Sequence, residues 1–277
     1  MKANKIEHGG HRGVLAILAI VTVAAIVVGG LLGYDKLRSI WLEQCVIRDM
    51  ESQVFIDAGS MVKADVIADE FGLKAGANLA LIDFNAKRLA ILKKIPNLRA
   101  VSVSRRLPDK VSIVTEERVP AARMEVRGSR TATGRVADRD GVVFICQRGT
   151  RLLPVIREAP SAGTPVGHHL SGRVRAAMEL IETGRDREFQ ELGILEVDVT
   201  SPDFLLATLG ANYSKLKIAW EGMDGQPTEA SRKSLKRQLS HLMSAMRSRL
   251  GDDAVVWNAT DFSKPGRIYA DNKDKMK

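Results

Sequence analysis

The chain has 277 residues, with 42 Lys and Arg against 33 Asp and Glu, and a formal net charge of +9. This length suits one or two globular domains. The basic excess favours anionic partners such as lipid headgroups or wall polymers, but the sequence has no basic run interleaved with aromatics, so nucleic acid is not an expected partner. Two cysteines, Cys45 and Cys146, do not make a disulfide framework.

The first predicted element is an apolar run over residues 14–32 that holds no charged side chain. A helix of this length crosses a hydrocarbon core about 30 Å thick while satisfying its own backbone. The alternative is a cleavable signal peptide, whose apolar region is usually shorter, about 7–15 residues, and ends at a small-residue site. We predict an uncleaved transmembrane helix.

The 13 residues before this run are too few for a domain, so we expect residues 1–13 to be a cytoplasmic stub and the bulk of the chain to be periplasmic or extracellular. The Lys and Arg counts on the two sides of the run are nearly balanced, so the positive-inside rule does not fix this orientation. Residues 33–50 continue as a predicted juxtamembrane helix, with Tyr34 and Trp41 suited to a headgroup-level aromatic belt.

Beyond residue 50 the pattern indicates a small module over residues 51–121 with the order β-α-α-β-β. Asp83 caps its second helix, which Pro96 ends, and Leu89, Leu92 and Ile95 are expected on the core side. The remaining predicted elements are a strand at 54–56, a helix at 63–71 stopped by Gly72, and strands at 101–103 and 111–113 around a turn at 107–110.

Residues 122–270 are predicted to form an elongated, mainly antiparallel β domain with two helices, one beginning after Ser171 and one after Thr228. In the second helix, the basic residues at 232, 233, 236 and 237 are expected to face solvent, and an anion-binding surface is the alternative interpretation. The last two strands are predicted at 254–257 and 267–270, followed by a charged, disordered tail over 271–277. The fold class is α+β with an N-terminal transmembrane helix.

The motif in the second half of the small module resembles the POTRA domain of the FtsQ/DivIB family of bacterial cell-division proteins. The residues that carry the resemblance are Pro96, Val103, Arg105, Pro108, Val111, Ile113, Glu117 and Pro120. Further along, Ala137-Asp138-x-x-Gly141-Val142-Val143-Phe144 resembles a hairpin of that family, and Leu153-Pro154-Val155-Ile156 resembles one of its strands.

No pattern of an enzyme or metal site stands out. Glu116 and Glu117 point to opposite faces of a predicted strand and cannot flank one substrate. His168 and His169 are adjacent in a predicted loop and lack a neighbouring acidic or thiol ligand. We therefore expect no catalytic residue, no cofactor and no metal.

The resemblance implies a single-pass inner-membrane protein enriched at the division septum. It implies a non-catalytic scaffold that bridges early and late septal proteins. The partners it implies are the septal DNA translocase, coiled-coil proteins of the FtsB and FtsL type, and through these the septal wall synthase.

Strand addition at a sheet edge is the predicted means of holding the coiled-coil partners. The candidate strand is 266–270, and the candidate partner-binding residues are Phe262, Ser263, Arg267, Ile268 and Tyr269. An ordinary terminal strand is the alternative interpretation.

Two other functions stay open. One is a POTRA-bearing chaperone or secretion component for outer-membrane proteins, which would usually repeat the module or add a barrel. The other is a cell-wall-binding or wall-modifying protein, which as an enzyme would require a convergent reactive site.

Overall fold

The structure is a computed structural model that describes residues 10–129, 133–160, 163–210, 213–248, 254–264 and 267–272. The chain divides into two compact units. The first unit comprises residues 1–58, 63–88 and 102–114, and the second comprises residues 59–62, 89–101 and 115–277. This division does not follow the predicted domain limits at 51–121 and 122–270, which stay predictions.

The first helix, α1, is 35 residues long and runs over Gly10–Gln44. Across the described part of the chain, no helix combines the length and the apolar character that a membrane crossing needs. The predicted transmembrane helix over 14–32 is therefore not confirmed, and most of the stub 1–13 lies outside the described residues.

The predicted helix over 33–50 is wrong beyond Gln44, because the next residues pair with a distant loop. Ile47 N donates to Ala77 O at 2.8 Å, and Leu79 N donates to Cys45 O at 2.9 Å. The side chains of Cys45 and Ile47 are both buried, which fits an extended segment whose alternate residues face the core. The helix therefore ends at Gln44, because the following residues form these backbone hydrogen bonds and bury two apolar side chains.

The order β-α-α-β-β is confirmed. Its elements are β1 (Val54–Asp57), α3 (Ala64–Phe71), α4 (Phe84–Lys94), β2 (Leu98–Arg106) and β3 (Lys110–Glu117), preceded by the short helix α2 (Met50–Gln53). The strands form one sheet in the order β1-β3-β2, with β1 parallel to β3.

Local signals explain the limits of the two longer helices. Gly72 closes α3 with a φ of 72°, a left-handed conformation that glycine adopts without a Cβ penalty. Asp83 caps α4, because its Oδ1 accepts a hydrogen bond from Ala86 N at 3.0 Å. The predicted inner face of α4 is partly wrong, since Ile91 is buried and Leu89 is exposed.

The second unit contains a nine-stranded sheet in the order β12-β11-β10-β9-β8-β7-β4-β5-β6. Its strands are β4 (Ala122–Val126), β5 (Arg135–Ala137), β6 (Val143–Ile145), β7 (Val155–Glu158), β8 (Ile194–Asp198), β9 (Leu205–Leu209), β10 (Lys215–Ile218), β11 (Ala254–Ala259) and β12 (Tyr269–Asn272).

Most neighbouring strand pairs in this sheet are antiparallel, as predicted, but β4–β7, β7–β8 and β10–β11 are parallel. Helix α5 (Gly172–Gly184) connects β7 to β8, and helix α6 (Glu229–Met246) connects β10 to β11. The parallel pairs β7–β8 and β10–β11 therefore use a helix as their crossover, whereas the chain passes from β4 to β7 through β5 and β6. Both helices contribute to one large apolar core, which includes Ile181, Leu239, Trp220 and Trp257.

The end of the chain differs from the prediction. Strand β12 begins at Tyr269 rather than at 266 or 267, and it continues through Asn272. The predicted disordered tail therefore starts too early, and residues 273–277 lie outside the described residues.

Candidate protein-binding site

Strand β12 is the outermost strand at one end of the nine-stranded sheet. Within the described residues it pairs with β11 alone, antiparallel, with Trp257 opposite Ala270 and Asn258 opposite Tyr269. A strand in this position has backbone N–H and C=O groups along its outer side that its own sheet does not use. It is thus a place where a segment of another protein can add as a further strand.

The opposite end of the sheet, at β6, is already covered by the chain itself. Val143 N donates to His168 O at 3.0 Å, and Gly167 N donates to Val143 O at 2.7 Å. The side-chain amide of Asn97 donates to Ile145 O at 2.7 Å. The two ends therefore differ, because only the β12 end is open among the residues that the structure describes.

The five predicted partner-binding residues do not share one environment. Tyr269, the first residue of β12, is 57% exposed, and Phe262 is also exposed. Arg267 is exposed just before the strand, and Ile268 is partly buried against the core of the second unit. Gly266, part of the predicted strand, lies outside the described residues.

Ser263 is engaged within the loop between β11 and β12. Its hydroxyl donates to Asp261 Oδ1 at 2.6 Å, and this hydrogen bond is the main reason that the pKa of Asp261 lies below its usual value. Ser263 is exposed but shapes the loop, so Tyr269, Arg267 and Phe262 are the exposed residues of the predicted set that we assign to partner contact.

Most of the motif residues of the small module serve its structure. Val111 and Ile113 are buried on one face of β3, and Val103 is partly buried on β2. Arg105 lies over the ring of Phe84, with its guanidinium carbon 5.4 Å from the ring centroid, a cation–π arrangement. Pro108 is in the turn between β2 and β3, and it is exposed.

Glu117 is the motif residue with the most extensive hydrogen bonding. Its Oε1 accepts from Met61 N at 2.6 Å and from Val62 N at 2.9 Å, while its Oε2 accepts from Ser60 N at 2.9 Å. Three consecutive backbone amides, just before α3, are therefore satisfied by one carboxylate.

A further contact joins residues near the two ends of the motif. Pro96 follows α4, and its carbonyl oxygen accepts from Arg118 Nε at 3.0 Å. Pro120, two residues after Arg118, is partly buried.

Side-chain chemistry that would suit a reaction is sparse. Among the described residues, no group of three or more His, Cys, Asp or Glu side chains is placed to hold a metal ion. Cys45 and Cys146 are free thiols and buried, and burial raises the pKa of Cys45. The exposed groups near β12 are suited to binding a protein segment.

One residue near this site has no distinctive signal in the sequence. Gln238 is buried among the inward-facing leucines of α6, and its side-chain amide nitrogen donates to nothing within the described chain. Its spacing from Leu235 and Leu242 places it on the inner face, which is the one indication that the sequence offers.

Comparison with known proteins identifies the small module. A family model described as the POTRA domain, FtsQ-type, matches residues 52–118. No curated protein matches the chain. The matched stretch contains β1 through β3 and ends at Arg118, so residues 52–118 are a POTRA domain of the FtsQ type and the chain is consistent with a protein of the FtsQ/DivIB type.

Proposed function

We propose that the protein is a membrane-anchored, non-catalytic scaffold of the bacterial division complex, located at the septum. The observation that carries this proposal is the FtsQ-type POTRA domain at residues 52–118, which suggests a role as a cell-division scaffold. The anchor is the uncharged apolar run over 14–32, with the stub inside and the bulk outside the inner membrane.

In this proposal, the POTRA domain recruits upstream division proteins, including the septal DNA translocase. The second unit holds coiled-coil partners of the FtsB and FtsL type, and through them the septal wall synthase. Support for a partner site at β12 comes from the open edge there and from the covered edge at β6.

A fluorescent fusion of the full chain tests the scaffold role. We expect rings at midcell in dividing cells, and we expect these rings to vanish when residues 95–122 are replaced. Diffuse fluorescence of the unaltered fusion, or rings that persist after the replacement, would contradict septal recruitment by the POTRA domain.

Pull-down of the FtsB-type protein of the same genome tests the edge. Tyr269→Ala combined with Arg267→Glu should weaken capture while the fold is retained. Ile145→Ala at the covered β6 end is the matched control and should capture the partner as wild type does. Equal capture by all three chains would remove the β12 edge from the proposal.

A further inference from the structure

A small pocket lies beside the loop that connects β11 to β12. It has a volume of about 210 Å³, and it is bounded by the first half of α6 and by residues of two loops. The side chains that matter here are Glu221, Lys233, Ser234, Arg237, Gln238 and Phe262. Phe262, one of the exposed residues near the β12 edge, thus also forms one wall of this pocket.

Gln238 lines this pocket, and its side chain carries an unused hydrogen-bond donor. Its side chain is 2% exposed, and its Nε2 has no hydrogen-bond partner among the described residues. A buried polar group without a partner destabilises the folded chain, because it has lost its hydrogen bonds to water and gained none in return. Such groups are rare in folded proteins, and each one calls for a reason.

Lys233 and Arg237 add two cations that are also unpaired in the described part of the chain. The neighbouring cations of the same helix behave differently, because Lys236 Nζ lies 2.8 Å from Asp186 Oδ2 and Arg232 Nε lies 3.6 Å from Glu179 Oε1. One side of α6 is therefore neutralised by acidic residues of the fold, whereas Lys233 and Arg237 form no ion pair with any of the described residues.

We propose that this pocket receives a carboxylate side chain of the protein segment that adds to β12. The proposal rests on the proposed function, since it names the chemistry of the partner at that same edge. The two cations would pair with the carboxylate, and the Gln238 amide would donate to it. The three unused donors thus acquire one common acceptor.

The size and position of the pocket favour a side chain of that partner. Small-molecule sites usually measure about 300–1,000 Å³, and this pocket is smaller. Phe262 belongs both to the pocket and to the loop that leads to β12, so a strand added at β12 and a side chain in the pocket can come from one segment.

Among the described residues that line the pocket, Glu221 is the acidic one. It allows a test of whether the pocket binds an anion or a cation. Its carboxylate would repel an incoming carboxylate, whereas its backbone N–H is held by Ser234 Oγ at 3.3 Å. Removing the charge with Glu221→Gln should therefore strengthen partner binding. If the pocket bound a cation instead, Glu221→Gln would weaken partner binding.

Binding of the full chain in detergent to the FtsB-type protein of the same genome tests the pocket. Lys233→Gln with Arg237→Gln should weaken binding about threefold to tenfold at low salt, and less at high salt, as for exposed ion pairs. The matched control is Arg232→Gln with Lys236→Gln, which changes the charge of the same helix equally and should bind as wild type does.

Gln238→Met separates a binding role from a structural one. Methionine fills a similar volume and removes the unsatisfied donor, so the melting temperature of the free chain should stay the same or rise. Binding of the FtsB-type protein should weaken by about tenfold, the usual size for a hydrogen bond to a charged group. A residue that only supports the fold would not raise stability and lower affinity together.

The outcomes separate this inference from the proposed function. If wild type binds and the Tyr269/Arg267 variant does not, but the Lys233/Arg237 and Gln238 variants bind as wild type does, the pocket proposal is overturned and the edge proposal stands. If wild type does not bind, both are overturned. If the pocket variants lose binding to anionic lipid vesicles and keep the protein partner, the occupant is a headgroup and the pocket proposal is wrong.

Discussion

Arg118 Nη1 donates to Asp138 Oδ2 at 2.6 Å, and the two side chains are only 15% and 6% exposed. Asp138 also accepts from Val142 N at 2.8 Å, in the hairpin between β5 and β6. The ion pair thus joins the end of the POTRA motif to the second motif of the sequence, 20 residues later. Both residues belong to the second compact unit.

Replacing Arg118 by Met should destabilise the second unit strongly. The change leaves Asp138 buried without its cation, and breaking a buried pair in this way costs about 3–5 kcal/mol. Trp220 and Trp257 are both buried in the core of this unit, so their fluorescence during urea unfolding of the full chain in detergent reports the loss.

The control for this prediction is Arg99→Gln. Arg99 pairs with Glu116 at 3.0 Å and with Asp140 at 3.2 Å, and all three side chains are about half exposed. Loss of such a surface pair should cost much less than loss of the buried Arg118 pair, and added salt should reduce the cost further. Equal effects of the two substitutions would show that burial does not set the strength of the Arg118 pair.

Glu117→Gln should loosen the segment before α3. An amide side chain has one acceptor oxygen where the carboxylate has two, so it cannot satisfy the three amides at residues 60–62. We expect faster hydrogen exchange at these amides and a loss of about 1.5–3 kcal/mol, the value for hydrogen bonds to a charged group. Glu116→Gln is the matched control and should leave their exchange unchanged.

Gly59→Ala tests the same contact from the other side. A Cβ at this position would overlap Cδ of Glu117, so the carboxylate must move away from the amides that it binds. The exchange pattern should therefore resemble that of Glu117→Gln. Slow exchange at residues 60–62 in the Gly59→Ala chain would show that the side chain adjusts without losing these bonds.

Signals that act over a few residues were sufficient to predict much of the fold. Gly72 ends α3, Asp83 caps α4, and Thr228 caps α6 by accepting from Ser231 N at 3.1 Å. The POTRA resemblance depended on spacing within one short stretch, residues 96–120, and the family match covers this stretch as far as residue 118. Each of these features depends on a few neighbouring residues, so it can be recognised from the sequence alone.

Features set by distant contacts were not predicted. The helix after the apolar run ends at Gln44 because residues 45–47 pair with residues 76–79, and helical spacing carries no information about that loop. The inner face of α4 was predicted partly wrongly for another reason. Its apolar residues 89–92 are consecutive and cover every side of the helix, so their spacing does not indicate which side is buried. Near β12, four of the five predicted residues are exposed and Ile268 is partly buried, since exposure depends on the rest of the sheet.

The proposed membrane anchor is testable through charge in the apolar run. Val23→Arg with Val28→Arg places two charges near the middle of residues 14–32, each costing about 2.5–3.5 kcal/mol in a helix that spans a bilayer. The double variant should be released from membranes by an alkaline wash that leaves wild type in the pellet. Tyr34→Arg, beyond the end of the run, should stay in the pellet, and retention of all three chains would contradict the anchor.

Glu179 should make the stability of the second unit depend on pH. Its Oε1 is buried without a hydrogen bond from the described residues, and burial raises its pKa more than Arg232 and Arg175 lower it. The folded chain therefore holds this proton more tightly than the unfolded chain, so stability falls as pH rises from about 4.3 to the raised pKa. Glu179→Gln should melt above wild type at pH 7, with a difference that shrinks toward pH 4. Melting at or below the wild-type temperature at pH 7 would mean that the Arg232 pair outweighs the cost of burial.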